Sequence, residues 1–137
     1  MAKTPTRIAI VDDDASVRGA LYRLLRASRF EAKAYGSGGE FVADCPAFRP
    51  HCAIVDLHMP GMSGLEAQQH LASKGMSVSV IIITGHDAPH ARAECLAAGA
   101  IAYLTKPVDE QVLMSSIARI AQVKGAGIAK ARERAVR

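Results

Sequence analysis

The apolar residues of the chain fall into two kinds of segment, short uninterrupted runs and longer stretches with helical spacing. Uninterrupted runs are typical of strands that are buried on both faces of a parallel sheet. The four runs of this kind cover residues 8–11, 53–55, 80–83 and 101–104. A fifth segment, Glu31–Tyr35, alternates between polar and apolar side chains and is followed by glycines, which predicts an exposed edge strand.

Helices are predicted between these strands. Two stretches carry apolar residues at i, i+4, i+7 and i+8, which places them on one helix face. These residues are Val17, Leu21, Leu24 and Leu25 in the first helix and Leu113, Ile117, Ile120 and Ala121 in the last. Three further helices are expected around residues 41–42, over residues 64–74, and from residues 87–89 to a point before Gly99.

Strand and helix therefore alternate five times along the chain. Right-handed crossovers then place helices on both faces of a parallel sheet. The predicted fold class is α/β, a doubly wound five-stranded parallel sheet. A chain of 137 residues, half of them hydrophobic, is long enough to bury one core.

The net charge of +4 arises at the carboxyl-terminal end of the chain. Residues 1–121 carry 12 basic and 12 acidic side chains, whereas residues 122–137 carry five basic and one acidic. We interpret residues 122–137 as a basic tail, either an extension of the last helix or a disordered end. The tail has no aromatic residue and no recognition motif, so specific DNA binding by this chain is not expected.

Membrane insertion, disulfide bonding and zinc binding by cysteine are not indicated. No apolar run approaches the roughly 20 residues that span a bilayer, and the first residues do not resemble a signal peptide. The expected location is the cytoplasm, without membrane association. Cys45, Cys52 and Cys95 lack CxxC spacing and are predicted to be small buried hydrophobic residues.

Polar residues end the predicted central strands. Asp12, Asp13 and Asp14 follow the run 8–11, Asp56 follows the run 53–55, Thr84 follows the run 80–83, and Lys106 lies two residues beyond the run 101–104. Ligands of an open parallel sheet bind outside the carboxyl ends of its strands. Taken singly, these residues also have structural explanations, such as an N-cap role for Asp14 or Asp13.

Carboxylates from separate strand ends repel one another unless a cation joins them. All-oxygen ligation favours Mg²⁺, with Mn²⁺ as an alternative, and Mg²⁺ commonly shares its coordination shell with a phosphate oxygen. The missing ligand is therefore predicted to be a phosphoryl group. Lys106 and Thr84 would bind its oxygens, and a carboxylate would be the covalent acceptor.

Residues 6–121 resemble the receiver domain of two-component response regulators, in particular its FixJ-like branch. Four motifs carry this resemblance. They are Ile-Val-Asp12-Asp13-Asp14, Val-Asp56-Leu-His-Met-Pro-Gly-Met-Ser-Gly64, Ile-Ile-Thr84-Gly-His and Tyr103-Leu-Thr-Lys106-Pro107. The resemblance implies a flavodoxin-like or CheY-like sheet with strand order 2-1-3-4-5.

The resemblance also implies a role for each matching residue. Asp56 would be the phosphoacceptor, and Mg²⁺ would be held by Asp12, Asp13, Asp56 and the backbone carbonyl of His58. Thr84 and Lys106 would bind the phosphoryl group, Tyr103 would turn inward as Thr84 moves, and the bond before Pro107 would be cis. A simpler interpretation leaves Tyr103 as a fixed core residue.

Two histidines, His58 and His86, lie two residues beyond Asp56 and Thr84. Such positions face the phosphoryl site in the family, where a side chain positions water or blocks it. Exposed loop histidines without such a role are the alternative. His86 and His90 also have i, i+4 spacing, but Pro89 intervenes and no third zinc ligand is near in sequence.

The function predicted on this basis is a phosphorylation-dependent relay rather than an enzyme with a small-molecule substrate. A histidine kinase or phosphotransfer protein would supply the phosphoryl group, and self-dephosphorylation would reset the domain. An alternative is the receiver part of a transcription factor whose DNA-binding domain is absent from this chain. A haloacid dehalogenase-like phosphatase is disfavoured because His58 stands where those enzymes place a general acid Asp.

Output is expected on the surface formed by the fourth helix, fifth strand and fifth helix, which would bind a downstream protein or a second copy of the chain. The fourth helix is rich in alanine, and Leu96 is its one large aliphatic residue. We therefore expect Leu96 to anchor this helix and the helix to shift at small energetic cost.

Overall fold

The computed structural model of the protein describes residues 5–126. Five strands and five helices alternate through this part of the chain. The strands are β1 (Arg7–Val11), β2 (Glu31–Tyr35), β3 (Cys52–Asp56), β4 (Ser79–Thr84) and β5 (Ala102–Thr105). The helices are α1 (Ala15–Ala27), α2 (Gly38–Phe48), α3 (Gly64–Ser73), α4 (Pro89–Ala97) and α5 (Glu110–Ala126).

All strand pairs are parallel, and the sheet order is β2-β1-β3-β4-β5. The predicted fold class and the strand order implied by the resemblance are both confirmed. β2 forms one edge, and three of its five residues are exposed, as its alternating pattern predicts. Because the order reverses between β1 and β3, the carboxyl ends of these two strands form a crevice.

Successive strand residues point to opposite faces of the sheet, so the domain has two hydrophobic cores. One core packs α1 and α5 against Ile8, Ile10, Ile54, Ile81 and Ile83. The other packs α2, α3 and α4 against Ala9, Val11, Val55, Val80 and Ile82. Because the central strands are buried on both faces, their sequences are continuous apolar runs.

Short polar side chains begin four of the helices, α1, α2, α3 and α5. Asp14 caps α1 by accepting hydrogen bonds from the amides of Ser16 and Val17, which confirms its predicted N-cap role. Ser63 and Glu66 form a capping box at α3. Helix α4 differs, since its N-cap residue is Ala88 and provides no side-chain hydrogen bond.

The structure corrects one sequence prediction, the anchoring of α4 by Leu96. Leu96 is 41% exposed, and Cys95 is the one buried residue within α4. Cys95 packs in the core beneath α4, and Leu96, the next residue along the helix, lies on the outer surface. All three cysteines are buried and free, as predicted.

Two further sequence predictions concern the ends of the domain and membrane insertion. Helix α5 continues to Ala126, past the predicted domain boundary at residue 121, and the remainder of the predicted tail lies outside the described residues. Within residues 5–126, every helix is too short or too polar to cross a membrane.

Candidate functional site

Three carboxylates meet at the carboxyl edge of the sheet. Asp12 and Asp13 directly follow β1, and Asp56 is the last residue of the neighbouring strand β3. One ligand oxygen from each of the three lies within 4.8 Å of the others. Asp12 is fully buried, Asp56 is 4% exposed, and Asp13 is open to solvent. The structure thus brings together the three carboxylates that were predicted to form one site.

Lys106 reaches this cluster from the loop that follows β5. Its Nζ lies 3.0 Å from Oδ2 of Asp12 and 3.4 Å from Oδ1 of Asp56. The Lys106 amide donates a hydrogen bond to the carbonyl of Thr84. The peptide bond between Lys106 and Pro107 is cis, as the resemblance implies. The lysine therefore bridges two of the carboxylates from the opposite side of the crevice.

The pKa values of these groups reflect crowding and burial. Burial raises the pKa of Asp56 and the nearby Asp12 carboxylate raises it further, whereas Lys106 acts in the opposite direction. Burial alone would lower the pKa of Lys106, but its contacts with Asp12 and Asp56 outweigh burial, so the pKa is raised. One ammonium faces three carboxylates, which leaves the pocket with an excess of negative charge.

The pocket fits a divalent cation. Oδ2 of Asp12 is shielded from solvent and pairs with the Lys106 ammonium at 3.0 Å. The same ammonium also pairs with Asp56, so the three clustered carboxylates keep an excess of negative charge that a divalent cation would offset. Because every donor is an oxygen, the set suits Mg²⁺ or Mn²⁺ and not zinc.

A close backbone contact holds the loop after Asp56 in place. The amide of Leu57 donates to the carbonyl of Ile83, and the amide of Gly64 donates to the carbonyl of Leu57. A Cβ atom at Gly64 would lie 2.6 Å from the carbonyl oxygen of Asp56. The absence of a side chain at Gly64 therefore allows α3 to begin directly against the phosphoacceptor candidate.

Thr84 is fully buried at the end of β4. Its hydroxyl accepts a hydrogen bond from the amide of His86 at 3.0 Å and lies 3.2 Å from the His86 carbonyl. The hydroxyl thus bonds to its own loop in this structure. The sequence predicted a hydroxyl near the acidic pocket, and Thr84 occupies the strand end next to Asp56.

Tyr103 already lies inside the protein, with 4% of its surface exposed. Burial raises the pKa of its hydroxyl. The Arg92 guanidinium from α4 lies 5.4 Å from the ring centre, and one of its nitrogens lies 3.4 Å from the Tyr103 carbonyl. The structure therefore records the inward position of the ring together with a Thr84 hydroxyl that bonds to its own loop.

His58 and His86 are exposed, lie two residues beyond Asp56 and Thr84, and face each other. Their ring centres are 5.8 Å apart, and the rings meet edge to face at 72°. Among residues 5–126, the three aspartates are the single group of three or more potential ligands close enough to share a metal ion. The His86 and His90 spacing thus produces no three-ligand zinc cluster in the described part of the chain.

A doubly wound sheet whose reversal point carries clustered carboxylates, a buried hydroxyl and a lysine defines a class of phosphoacceptor signalling domains. The chain belongs to the response regulator receiver domain family, whose sequence profile matches residues 8–118. Domains of this family are phosphoacceptor switches that interact with histidine kinases and downstream effectors, and they generally bind Mg²⁺ in an acidic pocket.

Individual relatives agree with this assignment. The chain is 40% identical over 111 residues to the response regulator protein TmoT of Ectopseudomonas mendocina, covering 80% of this chain and 50% of TmoT. It is 35% identical over 120 residues to the transcriptional regulatory protein FixJ of Rhizobium meliloti, covering 87% of this chain and 58% of FixJ. The chain therefore spans about half the length of these relatives.

Solved structures show the same architecture. The crystal structure of FixJ-N has a TM-score of 0.80 and 31% sequence identity, covering 88% of this chain and 97% of that structure. The response regulator StyR has a TM-score of 0.81 and 33% identity, covering 96% of this chain and 66% of that structure. The similarity to the FixJ-like branch predicted from the motifs is confirmed.

Proposed function

We propose that Asp56 accepts a phosphoryl group from a phosphohistidine of a histidine kinase or phosphotransfer protein. The observation that carries this proposal is the position of Asp56, which ends β3 in contact with Lys106 and shares one pocket with Asp12 and Asp13. A carboxylate oxygen of Asp56 forms the new bond to phosphorus as the phosphorus–nitrogen bond breaks. The imidazole of the donor leaves, and the carboxylate becomes an acyl phosphate.

Asp12, Asp13 and Asp56, together with the backbone carbonyl of His58, would hold Mg²⁺, and Mn²⁺ would replace it. When bound, the ion supplies positive charge that offsets the repulsion among the carboxylates and on the phosphoryl oxygens. Lys106 already lies between Asp12 and Asp56 and would provide a second cation for the transferred group. Thr84 would exchange its bonds with His86 for a bond to the phosphoryl group.

Reversal of the signal is proposed to occur by hydrolysis within the same pocket. His58 and His86 lie two residues beyond Asp56 and Thr84, with their rings edge to face. There they would position or exclude the water that attacks the acyl phosphate. The chain would then act as a switch with self-dephosphorylation and without turnover of a small-molecule substrate.

Output is proposed to use the surface of α4, β5 and α5. Helix α4 is held through small contacts. Cys95 is buried, Ala91 packs against the same core, Gln68 donates a 3.1 Å hydrogen bond to the Cys95 carbonyl, and Arg92 contacts Tyr103. A helix held this lightly changes its position at small cost, so phosphorylation would shift populations rather than create a new fold.

The occupant of this surface would be a downstream protein or a second copy of the chain. Exposed apolar side chains on α4, on α5 and in the loop between α4 and β5 support this role, and they are Leu96, Val112 and Ile101. Because the chain spans about half of relatives such as FixJ, the receiver part of a transcription factor remains the alternative. The domain division at residue 121 and the cytoplasmic location stay predictions.

Substitution of the phosphoacceptor tests the central step. Asp56→Asn should abolish labelling by acetyl phosphate with Mg²⁺, measured as a mass increase of the intact protein, while circular dichroism stays unchanged. Asp109→Asn is the matched control, since Asp109 is an exposed carboxylate that bonds to the Val112 amide at the start of α5. Labelling of Asp56→Asn at the wild-type rate would rule out the assignment.

The output step has a separate test. Hydrogen exchange of backbone amides should change over residues 85–106 when beryllofluoride occupies the site. Unchanged protection in that segment while the analogue is bound would show that Tyr103 is a fixed core residue and that the switch lies elsewhere.

A further inference from the structure

Arg18, a residue outside the four sequence motifs, contacts the acidic loop from α1. Its guanidinium donates a 2.8 Å hydrogen bond to the backbone carbonyl of Asp12, six residues earlier in the chain. The same group lies against the turn after β2, because a Cβ atom at Gly36 would be 3.5 Å from the donating nitrogen. Arg18 thus connects α1, the loop after β1 and the turn after β2.

Few other contacts fix the Asp12 backbone. Its amide donates to the carbonyl of Tyr35 at 3.2 Å, and its side-chain Oδ1 accepts from the amide of Asp14 at 2.9 Å. The bond from Arg18 is the charge-assisted contact to the backbone carbonyl of Asp12, and such bonds are about twice as strong as neutral ones. Because the peptide unit is planar, fixing the Asp12 carbonyl also fixes the direction of the Asp13 amide.

We propose that Arg18 is a positioning residue for divalent-cation binding and acts by orienting the peptide that joins Asp12 and Asp13. This inference rests on the proposed metal-assisted function of the pocket. The hydrogen bond from Arg18 goes to the backbone of a metal-binding residue, Asp12, rather than to its carboxylate. It therefore sets the affinity of the pocket for the ion by holding the carboxylates of Asp12 and Asp13 in their positions relative to each other.

Two effects of removing Arg18 oppose each other, which makes the proposal testable. Loss of a positive charge near an acidic pocket favours cation binding, since less repulsion remains. Loss of the hydrogen bond frees the Asp12–Asp13 peptide and disfavours cation binding. Groups that orient metal ligands typically account for a 10–100-fold change in metal affinity, so the positioning effect should dominate.

Arg23 provides a matched control on the same helix. It is exposed and lies five residues further along α1, about 7.5 Å further from the acidic loop along the helix axis. Arg18→Gln and Arg23→Gln remove the same charge and introduce the same side chain. Only the first removes the bond to Asp12. Arg18→Gln also removes the nearer positive charge, which by itself favours cation binding, so weaker binding by Arg18→Gln than by Arg23→Gln reports the lost bond.

The experiment measures Mn²⁺ binding to each variant by electron paramagnetic resonance of the free ion, at a temperature where circular dichroism shows folded protein. Arg18→Gln should bind Mn²⁺ about tenfold more weakly than wild type, Arg23→Gln should bind as well as wild type or better, and Arg18→Lys should be intermediate. A purely structural role would lower the melting temperature of Arg18→Gln but leave the Mn²⁺ affinity of the folded protein unchanged.

The outcomes separate this inference from the proposed function. If Asp13→Ala abolishes Mn²⁺ binding but Arg18→Gln and Arg23→Gln bind the ion equally well, only the role of Arg18 is wrong. If Asp13→Ala binds Mn²⁺ as well as wild type does, the proposed metal site is wrong too. Should Arg18→Gln not fold, Arg18→Lys decides, since wild-type affinity in that variant contradicts the need for the guanidinium fork.

Discussion

Alanine at Gly64 should destabilise the domain, although the same exchange normally stabilises a helix. Gly64 is the first residue of α3. Replacing glycine by alanine at an unhindered helical position gains about 0.5–1 kcal/mol, because alanine loses less backbone entropy on folding. At Gly64 the added methyl carbon would lie 2.6 Å from the Asp56 carbonyl oxygen and 3.0 Å from the Cα of Leu57.

The magnitude follows from the atoms involved. Both contacts are with backbone, which has no alternative rotamer, so α3 or the end of β3 must move. Overpacking of this kind costs about 1–3 kcal/mol, which exceeds the entropic gain. We expect a net loss of about 1–2 kcal/mol in the free energy of unfolding, or a decrease of about 4–8 °C in melting temperature for a domain of this size.

Urea denaturation followed by circular dichroism measures this loss. Gly39→Ala is the matched control, because Gly39 lies in the first turn of α2 and its added Cβ would approach nothing closer than 4.0 Å. That variant should be as stable as wild type or more stable. Gly64→Ala should also accept a phosphoryl group more slowly, since Asp56 moves with its carbonyl. Equal or greater stability of Gly64→Ala would refute the argument.

Three further predictions follow from the site and the packing. Mg²⁺ at ten times its dissociation constant should add about 1.4 kcal/mol to stability, and Asp13→Ala should remove this gain in thermal melting. Leu25→Ala should cost about 2–5 kcal/mol, whereas Leu96→Ala should change stability by less than about 0.5 kcal/mol, because Leu25 is fully buried and Leu96 is 41% exposed. The hydrogen bond from Lys33 lowers the pKa of Asp44, so its carboxylate stabilises the fold above the unfolded pKa of about 3.9 and loses this effect as pH falls through the folded value. Asp44→Asn should therefore be less stable than wild type at pH 7, and urea titrations should show the difference shrinking below about pH 4.

The sheet and the acidic pocket were predictable for one common reason. Strands buried on both faces leave a continuous apolar pattern, and each pattern ends where a polar side chain reaches the crevice. Which side of a short helix is buried is harder to predict from the sequence. Helix α4 has nine residues and mostly small side chains, so its pattern does not reveal that Cys95 faces inward and Leu96 outward.

The contacts made by backbone carbonyls could not be predicted from the sequence either. Arg18 binds the carbonyl of Asp12, and Gln68 binds the carbonyl of Cys95. A carbonyl is present at every residue, so no spacing of residue types identifies its partner. The close approach of Gly64 to Asp56 has the same origin, since it depends on how near two main chains lie.

The presence of a separate hydrophobic core on each face of the sheet affects how mutations can accumulate in the domain. Ile82 and Ile83 are adjacent in the chain, yet Ile82 packs in the core that contains Cys95 and Tyr103, and Ile83 in the core that contains Leu113. Neighbouring codons therefore affect different sides of the molecule. Mutations can accumulate beneath α4 while the packing of α1 and α5 stays intact, so the two faces of one small domain are free to diverge at different rates among its descendants.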